Sequence, residues 1–122
     1  MKTVYFILGM HRSGTSALGG MLNIMGLEFG SDLMVANERN PKGYFENNFV
    51  YQLNKKILSQ NNTVWYDLHF QASDIDKNDF DDFVQEAEQI MSNEFKYSEN
   101  FVIKDPRISI LFPIWEQASL NL

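Results

Sequence analysis

The sequence contains no cysteine and only two histidines, His11 and His69. A chain without cysteine has no disulfide, no thiolate ligand for zinc and no cysteine nucleophile, and two histidines are too few for an imidazole-based metal site. Basic residues are also scarce, because ten Lys and Arg stand against sixteen Asp and Glu, for a formal net charge of -6. This balance argues against a general nucleic-acid binder, which needs a basic surface. It still allows one small anionic ligand that is held locally.

Long apolar runs are missing as well. The apolar run at residues 4–8 is too short for a signal peptide or a membrane span, and His11 and Arg12 follow it closely. We therefore interpret the run as a buried strand and expect a cytoplasmic protein that does not act at a membrane.

The chain has 122 residues, of which 44% are hydrophobic and 14% aromatic. That is enough for one small domain with a real core, but not for two ordinary domains.

The hydrophobic pattern predicts strands that alternate with helices. The expected strands span 4–8 and 101–103, and the expected helices span 17–25, 47 or 48 to 61–62, 78 or 79 to 91, and 108–120. Gly26 is expected to close the first helix, and Asn78 or Asp79 to cap the third. A short extended piece is expected within 27–35, while 63–66 fits either a strand or an ordered loop. This order is typical of an α/β fold with a parallel sheet.

The acidic stretch at 74–79 superficially resembles the start of a calcium loop. However, Asp79 stands where such a loop requires glycine, and Gln85 stands where it requires the closing glutamate. We therefore expect no metal site. Trp65, Tyr66 and Trp115 are expected to lie in the core or in the wall of a cleft.

The loop at residues 8–16 carries the clearest chemical signal. Gly9 and Gly14 have the spacing of the two glycines of a P-loop, although Thr15 stands where the usual lysine would be and Ser16 holds the hydroxyl position. Glycines at these places let the backbone curl, so that successive N–H groups point at phosphate oxygens. The hydroxyl groups of Thr15 and Ser16 add further donors. The loop therefore predicts a phosphate-binding site.

The positive charge of this predicted site comes from Arg12, inside the loop. A helix that starts near Ser13 would add the positive end of its dipole. His11 would either donate a hydrogen bond to a phosphate or pack beside it. The alternative interpretation is an ordinary glycine-rich turn between a strand and a helix, with Ser13 as the N-cap.

Three stretches together resemble the sulfotransferases. Arg12-Ser13-Gly14-Thr15-Ser16 after an apolar strand is similar to their phosphosulfate-binding loop, which carries Lys or Arg before Ser-Gly-Thr. Asn40-Pro41-Lys42-Gly43-Tyr44-Phe45-Glu46 resembles a stretch of the bacterial, carbohydrate-type branch. Another stretch of that branch is similar to Lys104-Asp105-Pro106-Arg107, which Pro113 and Trp115 follow in this chain. Their order and spacing agree with that branch, so the resemblance covers nearly the whole chain.

The resemblance implies a P-loop-NTPase-like α/β fold, with a parallel sheet flanked by helices. It also implies a metal-free reaction that transfers a sulfuryl group from 3′-phosphoadenosine 5′-phosphosulfate to a carbohydrate or other small hydroxylated acceptor. By position, Arg12 would bind the transferring sulfonate, and residues 13–16 would hold the 5′-phosphate. Lys104 and Arg107 would help to neutralise the sulfate or the adenosine phosphates. As in phosphoryl transfer, positioning and electrostatic stabilisation would supply most of the catalysis.

Glu46 and Asp105 are the candidates for the general base. Glu46 could line the acceptor side of the cleft, but it fits equally well as a negative charge at the N-terminus of the following helix. Asp105 lies at a strand end where open α/β sheets place their sites, although many family members carry a histidine there. For Asp105 we favour an ion pair with Arg107 or Arg12. Tyr44 and Phe45 would either stack on a sugar or pack locally.

The family builds its 3′-phosphate site from an arginine and a serine on a later strand and helix. No equivalent pair follows Trp115, so we expect the chain to be the N-terminal part of a larger domain or a shortened chain. Two other functions stay open. One is a P-loop kinase of small metabolites, which the missing lysine after Gly14 disfavours. The other is a non-catalytic nucleotide-binding fragment, which the missing 3′-phosphate site favours.

Overall fold

The structure is a computed structural model that describes residues 2–9, 14–30, 46–64, 67 and 69–122. Within these ranges the chain forms two strands, four α-helices and one short 3-10 turn. In chain order they are β1 (Thr3–Ile7), α1 (Thr15–Ile24), α2 (Asn48–Gln60), the 3-10 turn (Ala72–Asp74), α3 (Lys77–Glu94), β2 (Asn100–Lys104) and α4 (Ile108–Leu120). The mixed α/β class is therefore confirmed, and each predicted strand and helix is present.

The two strands pair in parallel. Thr3 lies opposite Asn100 and Ile7 lies opposite Lys104, so the carboxyl ends of both strands reach the same edge of the sheet. On the other side of β2, Glu28 forms a parallel bridge with Phe101. This bridge confirms the extended piece expected within 27–35 as far as Glu28, and residues 31–35 lie outside the described residues. β2 thus lies between β1 and the earlier Glu28 segment, as crossover connections in a parallel sheet allow.

Most of the core lies on one face of the sheet, where β2 packs with α2, α3 and α4. Trp115 at its centre is fully buried, as expected for a core position. Its indole N–H donates to Oδ1 of Asn54 over 2.7 Å, which satisfies the one polar atom that the ring brings into the core. Trp65 and Tyr66 lie outside the described residues.

Helix α1 covers the opposite face of the sheet. Leu22 packs against a small cluster formed by Ile7, Phe29 and Val102, while Met21 on the same helix and the C-cap Met25 are exposed. Gly26, with a φ of 92°, follows the helix as predicted, because glycine adopts this left-handed conformation without steric cost.

Two predicted helix caps are wrong. The first helix begins at Thr15, close to Ser13 as expected, but its N-cap is Gly14 and not Ser13, as the alternative interpretation had it. The third begins at Lys77, and its N-cap is Asp76, not Asn78 or Asp79. Asp76 takes this role because its Oδ1 accepts the N–H of Asn78 over 2.9 Å, a bond that satisfies a free donor of the first turn.

The other boundaries agree closely with the pattern. Helix α2 begins after its N-cap Asn47 and ends before Asn61, and α4 spans the predicted range although it contains Pro113. Thr63 and Val64 belong to neither a strand nor a helix, which agrees with the ordered-loop alternative there. Among the described residues, no helix combines the length and the hydropathy that a membrane crossing requires.

Candidate functional site

The predicted phosphate loop leaves the sheet at the end of β1. The backbone N–H of Gly9 donates to the Ser109 hydroxyl over 3.0 Å. Ser109 lies in the first turn of α4, directly after the Lys104–Arg107 motif. The start of the loop is therefore held against the segment that follows β2.

After Gly9, the next residue that the structure describes is Gly14, the N-cap of α1. Gly14 has a φ of 90°, and apart from its neighbours in the chain no atom of the described residues lies within 4 Å of the place where a Cβ would be. Its carbonyl accepts the N–H of Leu18 over 3.1 Å, which starts the helix. The first N–H groups of a helix have no partner within it, and together with the helix dipole they attract anions. Thr15 and Ser16 are the first two residues of α1, so the loop ends at such an N-terminus.

Several predicted loop residues lie outside the described residues, namely His11, Arg12 and Ser13. The same holds for the side chains of Thr15 and Ser16, and for Tyr44 and Phe45 in the second motif. Their proposed roles stay predictions.

A cluster of buried charges lies at the carboxyl end of β2. Lys104 ends the strand with only 2% of its side chain exposed, and its Nζ lies 3.3 Å from Oε1 of Glu46. Asp105 is fully buried, and its Oδ1 lies 3.0 Å from Nη1 of Arg107. The fold thus brings together the two candidate bases and both basic residues of the third motif.

Glu46 lies directly before α2, but it does not cap the helix. Asn47 does so, because its Oδ1 accepts the N–H groups of Phe49 and Val50. Burial raises the pKa of Glu46 above its ordinary value of 4.5, and the negative charge of Asp105 adds to the rise, although Lys104 and Arg107 act in the opposite direction. A carboxylate whose pKa is raised toward neutrality is a better proton acceptor for general-base chemistry.

Asp105 forms the ion pair with Arg107 that we favoured from the sequence. One oxygen, Oδ1, accepts both the backbone N–H of Arg107 over 2.9 Å and its guanidinium over 3.0 Å. The other oxygen, Oδ2, is buried and has no hydrogen-bond partner among the described residues. The guanidinium also lies 4.8 Å from the ring centre of Tyr51, within the range of a cation–π contact. Arg107 is therefore oriented by two neighbours.

Sequence reasoning missed Tyr51 and Ser109. A signal existed for Ser109, since a hydroxyl residue in the first turn of a helix, just after a strand-end motif, is well placed to meet a neighbouring loop. Tyr51 gave no signal, because the contact joins α2 to a residue 56 positions later, and only the tertiary fold brings the two together.

His69 and the acidic stretch do not contribute to this cluster. His69 is exposed, and its backbone N–H donates to Asp67. The side chain of Asp74 accepts the backbone N–H of Gln71 over 2.9 Å, and this hydrogen bond helps to cap the 3-10 turn. No group of three or more His, Asp or Glu side chains is arranged to hold a metal ion in the part of the chain that the structure describes.

The site therefore consists of two parts at one edge of the sheet. One is the pair of loop ends at Gly9 and Gly14, and the other is the buried charge cluster after β2. Open α/β sheets bind their ligands at this edge. Comparisons with protein-family models, with curated proteins and with solved structures found no match.

Proposed function

We propose that the protein is a sulfotransferase of P-loop-NTPase-like fold that acts in the cytoplasm. It would transfer the sulfuryl group of 3′-phosphoadenosine 5′-phosphosulfate to a hydroxyl of a carbohydrate or another small acceptor. The observation that carries this proposal is the parallel pairing that places Ile7 opposite Lys104. Because of it, the start of the glycine-rich loop at Gly9 and the end of β2 at Lys104 lie side by side, as a site for an anionic donor and its acceptor requires.

In this proposal the loop holds the donor. The N–H groups at the start of α1 and the hydroxyls of Ser13, Thr15 and Ser16 bind the 5′-phosphate, with Gly9 and Gly14 shaping the loop and His11 beside it. Arg12 binds the transferring sulfonate and stabilises the charge that develops on the bridging oxygen. No metal ion takes part, since arginine supplies the positive charge.

The charge cluster serves the acceptor side. The acceptor oxygen attacks sulfur, the bond between sulfur and the bridging oxygen breaks, and the acceptor proton passes to a general base. We assign this base to Glu46, whose raised pKa suits proton transfer. Both carboxylates are paired with a basic side chain, Glu46 with Lys104 and Asp105 with Arg107. Asp105 accepts both the backbone N–H and the guanidinium of Arg107 through Oδ1, and we assign it to the positioning of that guanidinium.

Replacement of Arg12 tests the loop directly. The bridging oxygen that Arg12 contacts in this proposal stays on the 5′-phosphate of adenosine 3′,5′-bisphosphate. In calorimetric titrations with this ligand in EDTA, Arg12→Ala should therefore weaken binding about 10- to 100-fold, since hydrogen bonds to charged groups contribute about 1.5–3 kcal/mol each. The matched control is Lys77→Ala, which also removes one positive charge, from a side chain that is 88% exposed at the start of α3. Equal affinity of the wild-type protein and Arg12→Ala would contradict the proposal.

A further inference from the structure

A groove with a volume of about 420 Å³ runs between α2 and α3, a size typical of sites for small ligands. The two helices are antiparallel, because Asn47 hydrogen-bonds Glu94 at one end and Lys56 pairs with Glu86 further along. The end with Asn47 lies next to Glu46, the proposed base. One end of the groove, at Phe49 and Asn93, is therefore the end of the helix pair that follows Glu46 in the sequence.

An aromatic ring borders the end of the groove that is nearer to Glu46 in the sequence. The sequence places Phe49 on the apolar face of its helix together with Val50 and Leu53, and those two side chains are buried. Phe49 is nevertheless 49% exposed and lines the groove, with the half-buried Ile90 of α3 also in its wall. This half-open aromatic surface can receive the apolar face of a ligand.

Three carboxamides surround the same groove. Gln52, Gln89 and Asn93 all line it, and each is exposed. None of the three makes a side-chain hydrogen bond within the described part of the chain. Each amide offers both a donor and an acceptor, which matches a ligand whose groups also do both.

The charges of the groove cancel each other. Lys56 and Glu86 are the two ionic side chains that line it, and their Nζ and Oε1 atoms lie 2.6 Å apart. With its charges paired, the groove offers no net attraction to an anion or a cation. These features suit a ligand that is neutral, rich in hydroxyl groups and apolar on one face.

We infer that this groove binds a neutral oligosaccharide. The C–H face of one sugar ring packs on Phe49, and the hydroxyls of the chain hydrogen-bond to the three carboxamides. This inference rests on the proposed function in one respect: the bound chain is the acceptor, and its end at Phe49 lies three residues along the sequence from Glu46. Binding of the sugar itself requires neither the donor nor the reaction.

The test is a ¹H–¹⁵N NMR titration of the full chain with cellotetraose, maltotetraose and chitotetraose, with a heparin-derived tetrasaccharide as the anionic comparison. At least one neutral tetrasaccharide should give saturable shifts at the amides of Phe49, Gln52, Gln89 and Asn93. Phe49→Ala should weaken that binding at least tenfold. The matched control is Tyr97→Ala, an aromatic residue that is 91% exposed and outside the groove, which should leave affinity unchanged.

Three results would overturn the inference: no saturable shift with any neutral tetrasaccharide, stronger binding of the anionic one, or unchanged affinity in Phe49→Ala. Thermal melts of both variants by circular dichroism confirm that they are folded. Failure of this inference can be distinguished from failure of the proposed function. Bisphosphate binding without sugar binding removes this inference alone, whereas sugar binding without bisphosphate binding removes the sulfotransferase proposal and leaves a carbohydrate-binding groove.

Discussion

Replacement of Trp115 by alanine should lower the free energy of unfolding by about 3–5 kcal/mol, the usual cost of removing a fully buried large aromatic side chain. Trp115 has no exposed surface and packs in the core beside β2. Its loss leaves a cavity and also removes the hydrogen bond from the indole to Asn54. Asn54 is itself fully buried, so its Oδ1 would lose its partner in a place without access to water.

Urea unfolding followed by circular dichroism measures this effect without relying on tryptophan fluorescence. The control is again Tyr97→Ala, since removal of an aromatic ring that is 91% exposed should change the free energy of unfolding by no more than about 0.5 kcal/mol. A loss below about 1 kcal/mol in Trp115→Ala would mean that this ring is not at the centre of the core.

The second large effect concerns the buried pair of Lys104 and Glu46. Lys104→Met keeps most of the side-chain volume but leaves Glu46, which is 5% exposed, without the ammonium group 3.3 Å away. Breaking a buried ion pair by removing one partner costs about 3–5 kcal/mol. We expect a loss of this size at pH 7, measured by urea unfolding.

A second substitution and a control separate the loss of the ion pair from the loss of the lysine side chain itself. The double variant Lys104→Met, Glu46→Gln should regain much of the lost stability, because neither position of this pair then carries a buried charge. Lys56→Met breaks the exposed pair with Glu86 and should cost at most about 1 kcal/mol. Equal losses in Lys104→Met and Lys56→Met would contradict the buried pair.

The pH dependence of Lys104→Met follows from the raised pKa of Glu46. A carboxyl group with a higher pKa in the folded state binds more protons there, so its contribution to stability is greatest below about 4.5 and is lost as the pH rises through the raised value. Without Lys104, whose charge lowers the pKa of Glu46, this loss becomes larger. The destabilisation should therefore be greatest near neutral pH and should shrink as the pH falls toward 4.5.

Much of the fold could be predicted from local patterns. The apolar run at 101–103 and the apolar stripe from Ile108 have clear signals of strand and helix, and β2 and α4 lie there. The cap of α3 was harder, because Asp76, Asn78 and Asp79 are all favourable capping residues and only the backbone conformation selects among them. The same holds at α1, where Gly14 takes the cap position next to Ser13.

The site could be predicted only in part. The ion pair of Asp105 and Arg107 joins residues two apart at a strand end, so the sequence favoured it. The pair of Glu46 and Lys104 spans 58 positions, and no local pattern indicates a contact over that separation. Phe49 shows a related difficulty: periodicity places it on the apolar face of α2, but whether another element covers that position depends on how α3 packs.

The central claim is that the loop binds the adenosine bisphosphate portion of a sulfuryl donor without a metal ion. Calorimetric titration of the wild-type chain with adenosine 3′,5′-bisphosphate in EDTA, and in parallel with ATP and Mg²⁺, tests it most directly. We predict saturable, metal-independent binding of the bisphosphate that is tighter than the binding of ATP–Mg²⁺. Preference for ATP–Mg²⁺ would favour a kinase, and a folded protein that binds neither ligand would favour a non-catalytic role; either result would contradict the account.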